Sequence, residues 1–179
     1  MFTKEEDVIH FIFKAFHDQK RVKEDIEAVY HSIMVGTMLK EEKCDHDTVL
    51  IGYLHDVIED TEYDYEYLKN HYGKNIADGV LMVSDDKSIK NYHDRKVKFF
   101  EKIKNCPSNI LMVELADKLH NLLSDYELFK KNGKDILNTE ASNYEELKWF
   151  YLEFKKLFNG KLNCKMLDRY NEIINIYFE

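Results

Sequence analysis

Apolar residues recur along this chain at three- and four-residue spacing, broken by short polar stretches, and that period predicts helices throughout. The first is expected from about Lys4 to His17, where Thr3-x-x-Glu6 makes a capping box and Val8, Ile12, Ala15 and Phe16 keep helical spacing. The charged run Asp18 to Asp25 reads as a loop. A second helix runs from Ile26 to about Glu41, with Val29, Ile33, Gly36 and Met38 turned inward. A third starts near Asp45 or Asp47, either able to cap it, and carries Val49, Leu50, Tyr53, Leu54 and Val57 to the acidic stop Glu59-Asp60-Thr61.

Short helices over Tyr65 to Tyr72 and Asn75 to Val83 follow, the first ended by Gly73 and the second by Ser84-Asp85-Asp86. Asn91 to Lys104 reads as amphipathic through Val97, Phe100 and Ile103. Pro107 then breaks the chain, and Ser108 is placed to cap a long helix through Ile110, Leu111, Val113, Leu115, Leu119, Leu122 and Phe129. Two more, Ala141 to Phe158 and Leu162 to Tyr177, are separated by Asn159-Gly160. The expected fold is all-α: one compact domain over residues 1–179, a helical bundle of about eight to ten helices.

Composition agrees with long helices, since only one proline and six glycines occur in 179 residues of which 44% are apolar. The three cysteines, Cys44, Cys106 and Cys164, are odd in number and far apart, which points to neither a disulfide framework nor a cysteine metal site and fits a reducing cytoplasm. No apolar run approaches the ~20 residues of a membrane span, and the charged N-terminus lacks the order of a signal peptide. A net charge of −8 argues against a nucleic-acid polymer as partner. A small anionic substrate stays compatible if basic groups gather in one pocket.

The candidate chemistry lies in three apolar frames. In the third helix, Glu59 follows His55 by four residues and Asp60 follows Asp56 by four, so polar groups are stacked on a segment otherwise facing the core. Asp117 lies between Leu115, Ala116 and Leu119, with Asn121 one turn on, and His31 sits within VYHSIMVG. Buried imidazoles and carboxylates need pairing or a metal, because leaving them unpaired costs several kcal/mol. A lone buried histidine is more often a hydrogen-bonded core residue than a ligand. Three such frames in one chain reverse that weighting. Together His31, His55, Asp56 and Asp117 form a mixed nitrogen and oxygen set suited to Mn²⁺, Fe²⁺, Mg²⁺ or Zn²⁺.

The order His31, then His55-Asp56, then Asp117 resembles the HD superfamily of metal phosphohydrolases. Within it, YLHDVIEDT, ELADKLHNL and HYGKNIADGVLMVSDDKS are similar to the hydrolase domain of RelA/SpoT-type enzymes and to the stand-alone small alarmone hydrolases. The resemblance implies a 3′-pyrophosphohydrolase acting on guanosine tetra- or pentaphosphate, with Mn²⁺ as the usual metal held by those four residues. It implies that Glu59 orients or deprotonates water and that Asp60 holds the network or handles a proton for the departing oxygen. Asn121, Tyr144, Lys20, Arg21 and Lys23 match positions that touch the nucleotide. Lys87 lies in the family-like SDDKS run and is assigned with them, although by itself it reads, like Lys118, as a surface charge. His120 stands out among the other histidines by its closeness to Asp117. The sequence departs from the family at Ala28-Val29-Tyr30-His31-Ser32, which lacks the usual prolines, and at Leu122-Leu123, where an arginine is common. Another HD nucleotide phosphohydrolase, a 5′-nucleotidase or NADPH phosphatase, therefore stays open, as does a nucleotide-binding regulator without turnover.

Overall fold

The computed structural model describes residues 3–21, 25–133, 138 and 143–178. The fold is all-α. Ten helices are present among the described residues: α1 (Lys4–Ala15), α2 (Ala28–Glu41), α3 (His46–Leu54), α4 (Val57–Asp60), α5 (Tyr65–Tyr72), α6 (Lys74–Val83), α7 (Tyr92–Ile103), α8 (Ser108–Asn132), α9 (Tyr144–Asn159) and α10 (Lys165–Phe178). None is long and apolar enough to cross a membrane.

Local chemistry sets most boundaries. The Thr3/Glu6 capping box opens α1, Asp45 accepts from the Thr48 N–H to open α3, and Asn91 does the same for α7 through Asp94. At α8 the cap position belongs to Pro107, with no side-chain cap, and Ser108 is the first helical residue instead of the cap. Helix α9 runs from Tyr144, where Asn143 and Glu146 form a capping box, and the expected start at Ala141 lies outside the described residues. Gly73, at φ +96°, makes the left-handed turn that separates α5 from α6. Glu42, just past α2, reaches across the fold and accepts from the Met166 N–H in the first turn of α10 at 2.7 Å.

Two corrections matter for the site. The third predicted helix is two: the chain breaks at His55-Asp56, between α3 and α4. His55 Nδ1 lies 2.9 Å from the Gly52 carbonyl, the group that would accept from the Asp56 N–H in an uninterrupted helix. Helix α7 is also rotated from the expected register. Its buried stripe runs through Phe99 and Ile103, whereas Val97 is 41% exposed.

The long helix α8 packs against α2, α3, α6, α9 and α10. Helices α2 and α3 meet at a pair of glycines. A Cβ built on Gly52 would lie 3.4 Å from the Gly36 Cα, and one on Gly36 would lie 2.2 Å from the Tyr53 ring. This close approach sets His31 on α2 opposite His55 at the end of α3. Tyr53 is buried and its hydroxyl donates to Glu5 at 3.2 Å, so the ring cannot swing aside freely. Gly36→Ala should cost about 1–3 kcal/mol, the usual scale of overpacking, and lower the melting temperature by roughly 3–10 °C. An unchanged thermal melt would mean that the two helices part without cost.

Candidate metal centre and nucleotide cleft

Donor atoms of His31, His55 and Asp117, from three parts of the fold, lie within 4.8 Å of one another, and Asp56 stands beside them. His31 Nε2, from α2, lies 3.1 Å from His55 Nε2 and 3.1 Å from Asp117 Oδ1 of α8. Asp56 Oδ2 is 3.1 Å from His55 Nε2 and 3.6 Å from His31 Nε2, and Asp117 Oδ1 is 3.8 Å from His55 Nε2. The break between α3 and α4 is what lets His55 and Asp56, neighbours in sequence, aim at one point.

This set fits a divalent cation. Donors bonded to an ion at about 2.1 Å stand about 3.0 Å apart in six-coordination and about 3.4 Å apart in a tetrahedron. The Nδ1–H of His55 donates to the Gly52 carbonyl, leaving the Nε2 lone pair for the cluster. The charge balance agrees. Burial pushes His55 down, but the Asp56 carboxylate and its hydrogen bond outweigh that and raise the imidazole to about 10. Burial and the nearby positive charge of His55 hold His31 low, against the pull of Asp117. Burial alone would raise Asp56, yet His55 brings it down to about 2. The carboxylates thus demand positive charge at the point where a dication would supply it.

Glu59 and Asp60 face different surroundings. The Glu59 side chain is 16% exposed and its Oε1 accepts from the Asp85 N–H at 2.6 Å. Burial, then the Asp56 charge, raise its carboxyl above the usual range. Asp60, 45% exposed, sits at the rim. There Lys87 donates to the Asp60 carboxylate and, at 3.0 Å, to the Glu59 carbonyl. Lys87 therefore braces the acidic pair.

Beyond the donors opens a cavity of about 590 Å³. Lys20, Arg21, Asn121 and both carboxylates of α4 line it. A short antiparallel bridge between Lys20 and Glu27, with the Ala28 N–H donating to the Gln19 carbonyl at 2.8 Å, ties Gln19 and Lys20 to the start of α2. Arg21 then donates through Nη2 to Asn121 Oδ1 at 2.8 Å, and Asn121 Nδ2 donates to Asp117 at 2.5 Å. Lys20 pairs with Asp25. Lys23 lies outside the described residues. Tyr144 is not among the described residues lining the cavity; its ring packs against Phe129, Tyr177 and Phe178.

The structure adds groups that the sequence pattern did not single out. Lys118, read as a surface charge, is buried: it donates to Asp117, lies 3.4 Å from Glu114, and its ammonium sits 5.4–5.7 Å from the ring centres of Phe99, Phe150 and Phe154. Its charge, offsetting the effect of burial, keeps Asp117 well below the usual carboxylate range. Glu114 is raised to about 7 by burial, against Lys118 and with Asp117. Lys96 also lines the cavity and donates to Asp85 at 2.6 Å. The signals were present: Glu114 and Lys118 are four apart, and Tyr92, Lys96, Phe99 and Ile103 share one helical stripe.

Comparison with known proteins agrees with this geometry. The family model described as HD domain matches residues 11–141. The chain is 36% identical over 110 residues to guanosine-3′,5′-bis(diphosphate) 3′-pyrophosphohydrolase MESH1 of Drosophila melanogaster, covering 59% of this chain and 61% of that protein. It is 32% identical over 110 residues to the protein of the same name from Xenopus tropicalis. The chain thus spans about three fifths (61%) of the length of these curated relatives. A solved structure described as a metazoan ortholog of SpoT that hydrolyses ppGpp superposes with a TM-score of 0.79 at 25% identity, over 99% of this chain and 97% of that one.

Proposed function

Given that this chain belongs to the HD domain family, we propose that it is a metal-dependent 3′-pyrophosphohydrolase of guanosine tetra- and pentaphosphate, releasing pyrophosphate and leaving GDP or GTP. The observation that carries this reading is the convergence of His31, His55, Asp56 and Asp117 beside Glu59, at the floor of a cavity whose rim holds Arg21 and Asn121. The named activity of the relatives supports the substrate. One domain, working in the cytoplasm on a small nucleotide and not on a nucleic-acid polymer, is enough for this chemistry.

His31, His55, Asp56 and Asp117 would hold the cation, Mn²⁺ being the ion that the family resemblance implies. When bound, such an ion supplies charge neutralisation at the phosphate and makes water more acidic, from ~16 toward ~7. Glu59, fixed by the Asp85 N–H, orients that water and takes its proton. Water oxygen attacks the phosphorus attached to O3′, the P–O3′ bond breaks, and O3′ gains a proton to become the free hydroxyl. Asp60, braced by Lys87, holds the network at the leaving side. Lys20, Arg21 and Lys96, all lining the cavity, offset locally the repulsion between a polyphosphate and a chain of net charge −8.

A metal-supplemented hydrolysis screen tests this across guanosine 3′-pyrophosphates, nucleoside monophosphates and triphosphates, and NADPH, with products identified. GDP or GTP plus pyrophosphate is the expected outcome. Faster phosphate release from a 5′-monophosphate or from NADPH would assign the chain to another HD phosphohydrolase activity, and tight binding with no turnover would make it a regulator. Arg21→Ala should raise KM about tenfold with little change in kcat, because the contact holds ground state and transition state alike. Asn121→Ala should weaken substrate binding in the same way. Unaltered kinetics in both would remove the basic loop from the substrate site.

A further inference from the structure

An imidazole that binds a cation through Nε2 carries its hydrogen on Nδ1, and something must accept that hydrogen. His55 meets this demand with a backbone group, the Gly52 carbonyl. His31 meets it with a side chain: its Nδ1 lies 2.8 Å from Nδ1 of His120. Two ring nitrogens at that distance share a single hydrogen, one as donor and the other through its lone pair. With His31 Nε2 committed to the cluster, His31 must be the donor. His120 is left with one arrangement, a bare Nδ1 and a hydrogen on Nε2.

We propose that His120 is a positioning residue for the metal centre, fixing the tautomer and ring angle of His31 through this bond; the inference rests on the metal-centre reading above. His120 is 9% exposed and stands on α8, three residues after Asp117. One helix thereby supplies a ligand itself and orients a second ligand on α2. The Tyr30 ring packs edge-on against His120 with centroids 5.7 Å apart, and the two imidazoles lie 4.9 Å apart at 45°. Partners of metal-binding histidines are commonly carboxylates or carbonyls. A neutral imidazole does the same work without adding negative charge where Asp56, Glu59, Asp117 and Glu114 are already crowded.

The test compares His120→Leu, which keeps bulk and removes the acceptor, with His120→Asn, whose amide oxygen can take the place of Nδ1. Mn²⁺ affinity is read by titration, and histidine tautomers by long-range ¹H–¹⁵N spectra of the Zn²⁺-loaded wild type. His120→Leu should weaken Mn²⁺ binding about 10–100-fold, and His120→Asn should bind within about threefold of wild type. The spectra should place the hydrogen of His31 on Nδ1 and that of His120 on Nε2. Wild-type affinity in His120→Leu, no recovery in His120→Asn, or a hydrogen on His120 Nδ1 would each overturn the proposal. A wild type that binds no divalent ion would overturn the metal-centre reading, and this inference with it.

Discussion

Asp117→Ala should leave a protein that retains little divalent metal and hydrolyses guanosine 3′-pyrophosphates about 10³-fold more slowly or worse, the loss expected when several kcal/mol of charge stabilisation disappear. Asp117 Oδ1 faces His31 and His55 while its other oxygen takes the Lys118 ammonium. Removing it withdraws a donor and also leaves a buried cation short of a partner, a break that costs about 3–5 kcal/mol in such settings. His55→Ala separates the two effects, because it opens the cluster without touching Lys118. Metal analysis of both purified variants is the measurement. One ion per chain is expected in the wild type, and full occupancy in both variants would exclude these side chains from the coordination sphere.

Glu59→Gln should behave differently: metal content holds, and turnover falls by ~10²-fold or more, the usual scale for general acid–base groups. Glutamine keeps the side-chain length and the oxygen that accepts from the Asp85 N–H, so the loop after α6 stays in place. What it loses is the charge that attracts a proton from water. Burial and Asp56 raise the Glu59 carboxyl, which makes its anion a stronger base than an exposed glutamate. Single-turnover kinetics on metal-loaded protein would read this directly. Undiminished turnover would reduce Glu59 to a support for the Asp85 segment.

The part of this site that sequence reveals is the part written in short motifs. Asp117-x-x-x-Asn121 lies within one helix, so helical spacing alone predicts that the two share a face, and His55-Asp56-x-x-Glu59-Asp60 is compact enough in sequence to stand out. The break at His55-Asp56 was hidden because it arises from a side chain competing for a backbone carbonyl, and no proline or glycine marks it. Lys118 and Lys96 were hidden for another reason. A lysine reads as solvated unless its neighbours across the fold are known, and here those neighbours are Phe99 on α7 and Phe150 and Phe154 on α9. Tyr144 shows the reverse. The family resemblance placed it near substrate, whereas its ring packs with Phe129, Tyr177 and Phe178 and it is not among the described residues lining the cavity.

The aromatic enclosure of Lys118 divides the electrostatics of the cleft into two regimes of ionic strength. Mobile ions damp charge interactions in water over about 8–10 Å near physiological salt, but they screen buried pairs much less. The attraction between Lys118 and Asp117, both buried, therefore weakens little as salt rises, and the donor cluster is expected to keep its shape. Lys20, with its side chain 54% exposed, has no such shelter. Added salt should act on this protein as a dial for substrate capture alone, loosening the grip at the mouth while the centre beneath it stays set.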